Sequence, residues 1–280
     1  MGKTLFITDL DGTLLDSGAR ITPLTAKIIN DLIDKGLIFT YATARSFYKA
    51  SQFAGDINFK EPAVHHNGVF IQEPGSGEYF DKCVFDRDKA AELMQTLQAH
   101  KFYPLIYAII EGRERVSWIS GKETAGIKFY LETRKNDERL REIQGYGEVT
   151  GDIYEIIFVG NHREELEQII CDLNLDSHFS HHIHIDAYKY ADGKTKYWLE
   201  IQRFDAQKDT GVQKVKKLVG ADKIICFGDN INDLPMFNIS DESYAVANAQ
   251  PEVKKIATGV IGSNDEDGVA RWLEANAGRY

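Results

Sequence analysis

The sequence predicts an α/β fold, a doubly wound parallel sheet core with an inserted α+β domain. Apolar strand-like runs alternate with helical patterns towards both ends of the chain, which is typical of parallel sheets covered by helices. Residues 82–189 instead group helix-rich and strand-rich stretches, as α+β units do. The length of 280 residues suits one or two domains. We therefore expect a core formed by residues 1–81 and 190–280, interrupted by a domain at 82–189.

The first predicted elements alternate between strand and helix. Residues 5–8 are apolar and rich in β-formers, and they lead into an Asp-Gly turn, so they predict a buried strand. A Thr-Pro pair at 22–23 predicts the start of a helix, and Gly36 predicts its end. The next expected elements are a strand at 37–43, a helix at 46–53 and a strand at 63–66.

The same patterns predict the rest of the chain. In the insert we expect helices at 88–100 and 163–173 and strands at 103–110, 115–119, 153–159 and 179–185. The Glu-Gly pair at 111–112 predicts a hairpin between the first two of those strands. After residues 198–201 the alternation returns, with helices at 209–219, 233–237 and 251–257 and strands at 223–227 and 244–247.

Composition excludes several classes of function. The chain has 33 Lys and Arg against 43 Asp and Glu, a formal net charge of −10, so we expect no nucleic-acid partner. No apolar run approaches the roughly 18 residues that span a bilayer, and the N-terminus lacks the features of a signal peptide, so we expect a cytoplasmic protein without a membrane partner. The three cysteines are widely spaced, which argues against a disulfide framework or a zinc site. The oligomeric state does not follow from the sequence.

Carboxylates follow two of the predicted strands. Asp9 and Asp11 come after the first strand, while Asp229 and Asp233 come after the strand at 223–227. The carboxyl ends of parallel strands share one edge of a sheet, where ligand crevices form. Four carboxylates there would raise one another's pKa unless a cation neutralises them. Oxygen ligands without cysteine or clustered histidine favour Mg²⁺ over zinc.

These two motifs, DLDGT at 9–13 and GDNIND at 228–233, resemble those of the haloacid dehalogenase (HAD) superfamily of aspartate-dependent phosphohydrolases. The order of the motifs and the position of the insert are most similar to the Cof-type subfamily, in which a cap domain follows the second core motif. The resemblance covers the whole chain. It implies a Rossmann-like catalytic core and a cap whose side chains select the substrate.

The resemblance also implies roles for the acidic residues. Asp9 falls on the nucleophile and Asp11 on the general acid/base of the family. In the family Mg²⁺ is held by the side chain of the first acid, the backbone carbonyl of the second and the acid that is here Asp229. Asp233 matches an acid that orients metal-bound water, and Asn232 matches a residue on the phosphate side of the ligand. The chemistry agrees, because one carboxylate can attack phosphorus while a second protonates the leaving oxygen.

The second family motif falls on residues 43–45. Thr43 matches the hydroxyl residue that binds phosphate. Ala44 replaces the glycine that is usual in Cof-type proteins, and its methyl group would narrow the backbone angles and crowd the ligand. Arg45 is therefore either a phosphate ligand or a surface residue at the start of a helix. Asn67 also matches a family position near the active site.

The third family motif is a lysine that neutralises the phosphate and the nucleophile. Lys208 is the preferred candidate, because it opens the predicted helix before Gly211. Lys194 and Lys196 are the alternatives. A local cation is needed in either case, since a phosphate ester gains nothing from the field of a protein with a charge of −10.

The histidines of the insert lie at 178, 181, 182 and 184. They could bind a soft metal, but alternation along a strand sends neighbouring side chains to opposite faces, which argues against one shared site.

The function that these residues predict is a magnesium-dependent phosphatase acting on a small phosphorylated metabolite through an aspartyl-phosphate. A sugar phosphate, a nucleotide or a cofactor phosphate would fit. Alternatives are a specific sugar-phosphate or phosphoglycerate-type phosphatase, a phosphotransferase or mutase, and a non-enzymatic phospho-ligand sensor. The physiological substrate does not follow from the sequence.

Overall fold

A computed structural model describes residues 2–185 and 195–280. The described chain forms two compact units, one extending to Lys82 and resuming at Ala206–Tyr280, the other comprising Cys83–Asp205. Its fourteen strands, in chain order, are β1 (Thr4–Thr8), β2 (Ile38–Tyr41), β3 (Ala63–His65), β4 (Phe70–Gln72), β5 (Tyr79–Lys82), β6 (Leu105–Ile110), β7 (Arg113–Ile119), β8 (Leu140–Ile143), β9 (Asp152–Gly160), β10 (Phe179–Ile185), β11 (Tyr197–Arg203), β12 (Lys223–Gly228), β13 (Glu242–Ala245) and β14 (Gly259–Val260).

The described residues also form nine α-helices. They are α1 (Pro23–Asp34), α2 (Phe47–Ala54), α3 (Arg87–His100), α4 (Ala125–Thr133), α5 (Arg163–Leu173), α6 (Lys208–Val219), α7 (Leu234–Ile239), α8 (Pro251–Ile256) and α9 (Gly268–Asn276). None of these helices has both the length and the apolar character needed to cross a bilayer.

The first unit contains the predicted parallel sheet. Its five strands lie in the order β14-β13-β12-β1-β2, and every neighbouring pair is parallel. All five residues of β1 are buried, as expected for a central strand covered on both faces. Together with the separate sheet of the second unit, this arrangement confirms the predicted α/β class.

The strand at 63–66 does not simply extend this sheet. β3 forms one parallel bridge to it, between Ala42 and Val64, and otherwise pairs antiparallel with β4, which pairs with β5. The short strands β4 and β5 were not predicted. Each has only three or four residues, which is too short to show a hydrophobic period.

The second unit is an α+β structure. Its six strands lie in the order β10-β11-β9-β6-β7-β8, and all neighbours are antiparallel except β7 and β8. Helices α3 and α5 contribute Leu97 and Leu166 to the same buried cluster as Ile156 of β9. The predicted hairpin joins β6 and β7, with Glu111 and Gly112 at φ values of 53° and 75°.

The boundary between the units lies further along the chain than residue 189. β11 pairs with both β9 and β10, so it belongs to the second sheet, and the second unit ends at Asp205. The sequence pattern placed residues 198–201 in the returning core because Leu199 and Ile201 alternate as buried residues in either kind of sheet. Periodicity identifies a strand without identifying its partners.

Candidate active site

The two predicted strand ends lie side by side. β1 and β12 are parallel neighbours, with Thr8 opposite Phe227. The backbone N–H of Asp9 donates to the carbonyl oxygen of Phe227 over 2.9 Å. Because Asp229 directly follows β12, the two acidic motifs come together at one edge of the sheet, as expected.

A buried lysine connects these motifs. Lys208, the first residue of α6, places Nζ 2.6 Å from Oδ1 of Asp9 and 2.6 Å from Oδ1 of Asp233. Its side chain is 1% exposed. The structure thus brings the preferred lysine to the acids. Lys196 instead donates to Oδ1 of Asn161 within the second unit, and Lys194 lies outside the described residues.

Asp233 organises the loop after β12. Its Oδ2 accepts hydrogen bonds from the backbone N–H groups of Asp229 (2.9 Å) and Asn230 (3.0 Å). A Cβ added at Gly228 would lie 2.7 Å from the same oxygen, so a larger residue there would displace the carboxylate. Asp233 therefore acts on the shape of this loop as well as on Lys208.

Asp9, Asp229 and Asp233 form a carboxylate cluster. One oxygen from each lies within 4.8 Å of the others. Thr13 donates from its hydroxyl to Oδ1 of Asp229 over 2.7 Å and orients that carboxylate. An all-oxygen donor set of this kind fits a hard divalent cation such as Mg²⁺. The side chain of Asp11 is not part of the cluster.

The pKa values of the cluster reflect its burial. Desolvation raises the pKa of Asp9 well above its ordinary value, with Lys208 opposing and the neighbouring acids adding to the rise. Desolvation likewise raises the pKa of Asp229 to about 6. The charge of Asp233 adds to this rise, and the hydrogen bond from Thr13 opposes it. Burial alone would lower the pKa of Lys208, but Asp233 and Asp9 outweigh it and raise that pKa. A cation at this place would favour the ionised carboxylates.

Asp11 is held by a different partner. Arg45 donates to its carboxylate from Nε (2.6 Å) and from a terminal nitrogen (2.5 Å). The guanidinium also lies 4.1 Å from the ring centroid of Phe53. Arg45 thus points into the motif region rather than outwards from the helix start, while Ala44 beside it is exposed.

Asn67 connects the second motif, at residues 43–45, to the motif at 228–233. Thr43 is fully buried, and its carbonyl oxygen accepts a hydrogen bond from the backbone N–H of Asn67 over 3.0 Å. The Oγ1 of Thr43 accepts from the backbone N–H of Arg45 over 3.1 Å. Oδ1 of Asn67 then accepts from Nδ2 of Asn232 over 3.4 Å. The residues expected on the phosphate side therefore meet in one region.

A family model described as haloacid dehalogenase-like hydrolase matches residues 6–273. The chain belongs to this family. The match confirms the resemblance drawn from the two acidic motifs and the expected enzyme class, a phosphatase of the HAD superfamily.

Individual relatives of this HAD hydrolase are distant but cover nearly the whole chain. The 5-amino-6-(5-phospho-D-ribitylamino)uracil phosphatase YitU of Bacillus subtilis is 25% identical over 96% of each chain. The pyridoxal phosphate phosphatase YbhA of Escherichia coli is 21% identical over 98% of each. The crystal structure of TM0651 from Thermotoga maritima matches with a TM-score of 0.75 and 21% identity, covering 98% of this chain and 97% of that one. That structural likeness shows the fold.

Two supporting asparagines of this HAD hydrolase were not predicted. Nδ2 of Asn248 donates to the carbonyl oxygen of Gly12 over 2.7 Å, and Nδ2 of Asn264 donates to that of Leu15 over 2.9 Å. Gly12 has a φ of 75°, and a Cβ there would lie 2.7 Å from Oδ2 of Asp229. Both asparagines are far from the first motif in sequence, so no spacing signal could have identified them.

Proposed function

We propose that this chain is a magnesium-dependent phosphatase that hydrolyses a small phosphorylated metabolite through an aspartyl-phosphate on Asp9. The observation that carries the proposal is the buried ammonium of Lys208 between Asp9 and Asp233, with Asp229 within 4.8 Å of both acids. A buried cation beside several carboxylates supplies the positive charge that a phosphoryl group needs during transfer.

Asp9 is the proposed nucleophile. Lys208 donates to its Oδ1, so we assign the attack on phosphorus to Oδ2. As the new O–P bond forms, the bond from phosphorus to the leaving oxygen breaks, and Asp11 gives its proton to that oxygen. Asp11 then removes a proton from water, whose oxygen attacks phosphorus and releases Asp9 and inorganic phosphate.

The magnesium ligands would be the side chains of Asp9 and Asp229 and the backbone carbonyl of Asp11, with Asp233 acting through water. When bound, the ion neutralises these carboxylates and polarises the phosphoryl oxygens. Asp229 is oriented for this role by Thr13, and its raised pKa indicates that its charge is costly without a cation.

Further residues would bind the rest of the ester. Thr43 and Asn232 are proposed to contact the phosphoryl oxygens together with Lys208, and Arg45 is proposed to orient Asp11. We also propose that the second unit, Cys83–Asp205, is the cap domain that selects the leaving group, because the phosphoryl contacts are common to every phosphate ester.

The substrate class rests on chemistry and on the relatives. YitU and YbhA are named for two different small phosphate monoesters, a ribitylaminouracil phosphate and pyridoxal phosphate, which supports this class without selecting a member. A phosphotransferase would pass the phosphoryl group to an alcohol, so faster turnover with a free hydroxyl acceptor would favour it. A sensor would not need Asp9, Asp11 and Asp229 together.

The test is a screen for phosphate release from sugar phosphates, nucleotides, flavin mononucleotide and pyridoxal phosphate, with p-nitrophenyl phosphate as an activated reference. Each assay is run with Mg²⁺ and with EDTA, and Asp9→Asn serves as the inactive control. Release from at least one ester that requires both Mg²⁺ and Asp9 supports the proposal. No magnesium-dependent release from any ester, the activated one included, would overturn it.

A further inference from the structure

Two histidines share one face of the second unit's sheet. β10 is an edge strand of that sheet, and alternation places His182 and His184 on the same side and His181 on the other. The rings of His182 and His184 are nearly parallel, at 22°, with centroids 5.9 Å apart. The alternation that separates neighbouring histidines thus brings this alternate pair together.

A carboxylate lies beside the pair on the next strand. Glu200 of β11 is the register partner of His182, so their side chains leave the sheet on the same face. Its Oε1 lies 3.8 Å from Nε2 of His184. Two ligand atoms bound tetrahedrally at about 2.0–2.1 Å from one zinc ion would be about 3.4 Å apart. Small side-chain rotations that move these two atoms by a few tenths of an ångström would bring them to that separation.

The third ligand, His182, needs a side-chain rotation to complete the site. The ligand atoms of His182, His184 and Glu200 do not all lie within 4.8 Å of one another, but His182 faces Glu200 across the strand pair and its ring centroid lies 5.9 Å from that of His184. The ring of His184 is stacked on Trp198, with centroids 6.3 Å apart and planes at 25°, so one of the two rings is already oriented by packing. The side chains of His184 and Glu200 are 37% and 25% exposed, which leaves an ion access from solvent.

A second carboxyl group, that of Glu155, lies near Glu200. Glu155 lies on β9 in register with Gln202, which donates to its Oε1 over 2.6 Å. The carboxyl group of Glu155 is buried, and its pKa is raised well above its ordinary value. Desolvation is the larger cause, and the charge of Glu200 is the second. A divalent cation bound by Glu200 would offset the charge of Glu200 and so lower the cost of ionising Glu155.

We propose that His182, His184 and Glu200 form a binding site for one divalent ion of the Zn²⁺ type in the second unit. Two imidazoles and one carboxylate match the ligand preference of zinc, copper and nickel, whereas Mg²⁺ prefers sites of oxygen alone. Three protein ligands leave at least one coordination position for water or another donor. The site is chemically distinct from the carboxylate cluster of the first unit and does not depend on the proposed phosphatase reaction.

The test is calorimetric titration of the full chain with zinc chloride, using protein without a histidine tag. Saturating Mg²⁺ is present throughout, so that the carboxylate cluster of the first unit is occupied. We expect one zinc ion per chain, and we expect His182→Gln and His184→Gln each to weaken its binding at least about tenfold. Glu200→Gln should weaken it too, because it removes the charged ligand but keeps the shape.

His181→Gln is the matched control, since it removes an imidazole from the same strand on the opposite face. Its zinc titration should equal that of the unchanged protein. Cobalt absorption bands in the visible range, present in the unchanged protein and lost in the double variant of His182 and His184, would confirm imidazole ligation. An absent zinc titration, or one that the double variant leaves unchanged, would overturn the proposal. So would an equal loss in the His181 control.

Discussion

Arg45 holds the carboxylate of Asp11 through two hydrogen bonds, of 2.6 and 2.5 Å, while its guanidinium carbon lies over the ring of Phe53, 4.1 Å from the centroid. The side chains of Arg45 and Asp11 are 22% and 50% exposed, so solvent screens the pair and its contribution to stability is small. Its geometric effect is larger, because a forked guanidinium fixes both oxygens of a carboxylate. Asp11 is the proposed acid/base, so we expect Arg45 to fix the orientation of its carboxyl group when Asp11 is ionised and ready to accept a proton.

We expect Arg45→Gln to lower kcat about tenfold to a hundredfold on alkyl phosphates and by much less on p-nitrophenyl phosphate. The alkyl leaving group needs the proton that Asp11 supplies, whereas the activated leaving group does not. Steady-state kinetics on both esters measure the difference. Arg163→Gln, which removes an exposed ion pair with Glu167, is the control and should change neither. Equal losses on both esters would instead indicate that Arg45 binds the phosphoryl group.

Asp9→Asn should remove turnover, by at least about a thousandfold in kcat, because an amide cannot attack phosphorus and is a poorer ligand for Mg²⁺. The fold should remain, since the amide oxygen can still accept from Lys208. Circular dichroism and a thermal melt check the fold, and phosphate release checks the activity. Activity within tenfold of the unchanged protein would exclude Asp9 as the nucleophile.

Asp11→Asn should separate the two half-reactions. With p-nitrophenyl phosphate the aspartyl-phosphate still forms, because its leaving group needs no proton, but its hydrolysis lacks the base that activates water. We therefore expect phosphoenzyme to accumulate from this ester, with almost no reaction of alkyl phosphates. Mass spectrometry after rapid acid quenching detects the added phosphoryl group. Equal losses on both esters without a trapped intermediate would contradict the assigned role.

The raised pKa of Asp229 allows a prediction of how pH and Mg²⁺ change the thermal stability of the protein. Its pKa is about 6 in the folded chain against an ordinary value of 3.8, so between these values the folded state binds more protons than the unfolded one. The contribution of Asp229 is therefore present below about pH 4 and is lost as the pH rises through about 6. In EDTA, the loss of this contribution should lower the Tm of the unchanged protein as the pH rises from about 4 to about 6. Asp229→Asn should make that fall in Tm smaller.

Magnesium should reverse that trend, because it binds the ionised carboxylate. We expect Mg²⁺ to raise Tm more at pH 7 than at pH 5 in the unchanged protein and to raise it little in Asp229→Asn. Differential scanning fluorimetry at both pH values measures this effect. An equal magnesium shift in the variant would mean that the ion binds elsewhere.

The sequence could place the acids and the lysine because strand ends and helix starts are local signals. Asp9 and Lys208 are 199 residues apart in sequence. Asp9 directly follows a strand and Lys208 begins a helix, and in a parallel α/β sheet such strand ends meet at one predictable edge. The pairing of Arg45 with Asp11 could not be predicted, because the same residue fits a phosphate ligand or a surface helix start. Nor could the contact of Asn248 with Gly12, since it depends on how two loops pack rather than on any period.

Local sequence patterns could not predict where the second unit ends either. The position of that end determines which residues must be deleted to remove the proposed cap. The sequence alone suggests a deletion of residues 84–188. That excision leaves β11 in the chain without β9 and β10, the two strands with which it pairs. An unpaired strand with buried positions such as Leu199 and Ile201 exposes apolar surface and backbone donors. We expect this shortened chain to aggregate, as size-exclusion chromatography would show.

Replacing Cys83–Asp205 with a short Gly/Ser linker removes the second sheet completely and should leave a first unit that melts cooperatively. The proposed phosphoryl contacts all lie in that unit, so hydrolysis of p-nitrophenyl phosphate should remain measurable. Contacts that hold a natural leaving group accelerate its reaction by orientation, and they would be lost. We expect kcat/KM on the best natural substrate to fall at least about a hundredfold, about 2.7 kcal/mol of transition-state stabilisation. A folded first unit that keeps the original ranking of substrates would show that Cys83–Asp205 does not select the leaving group.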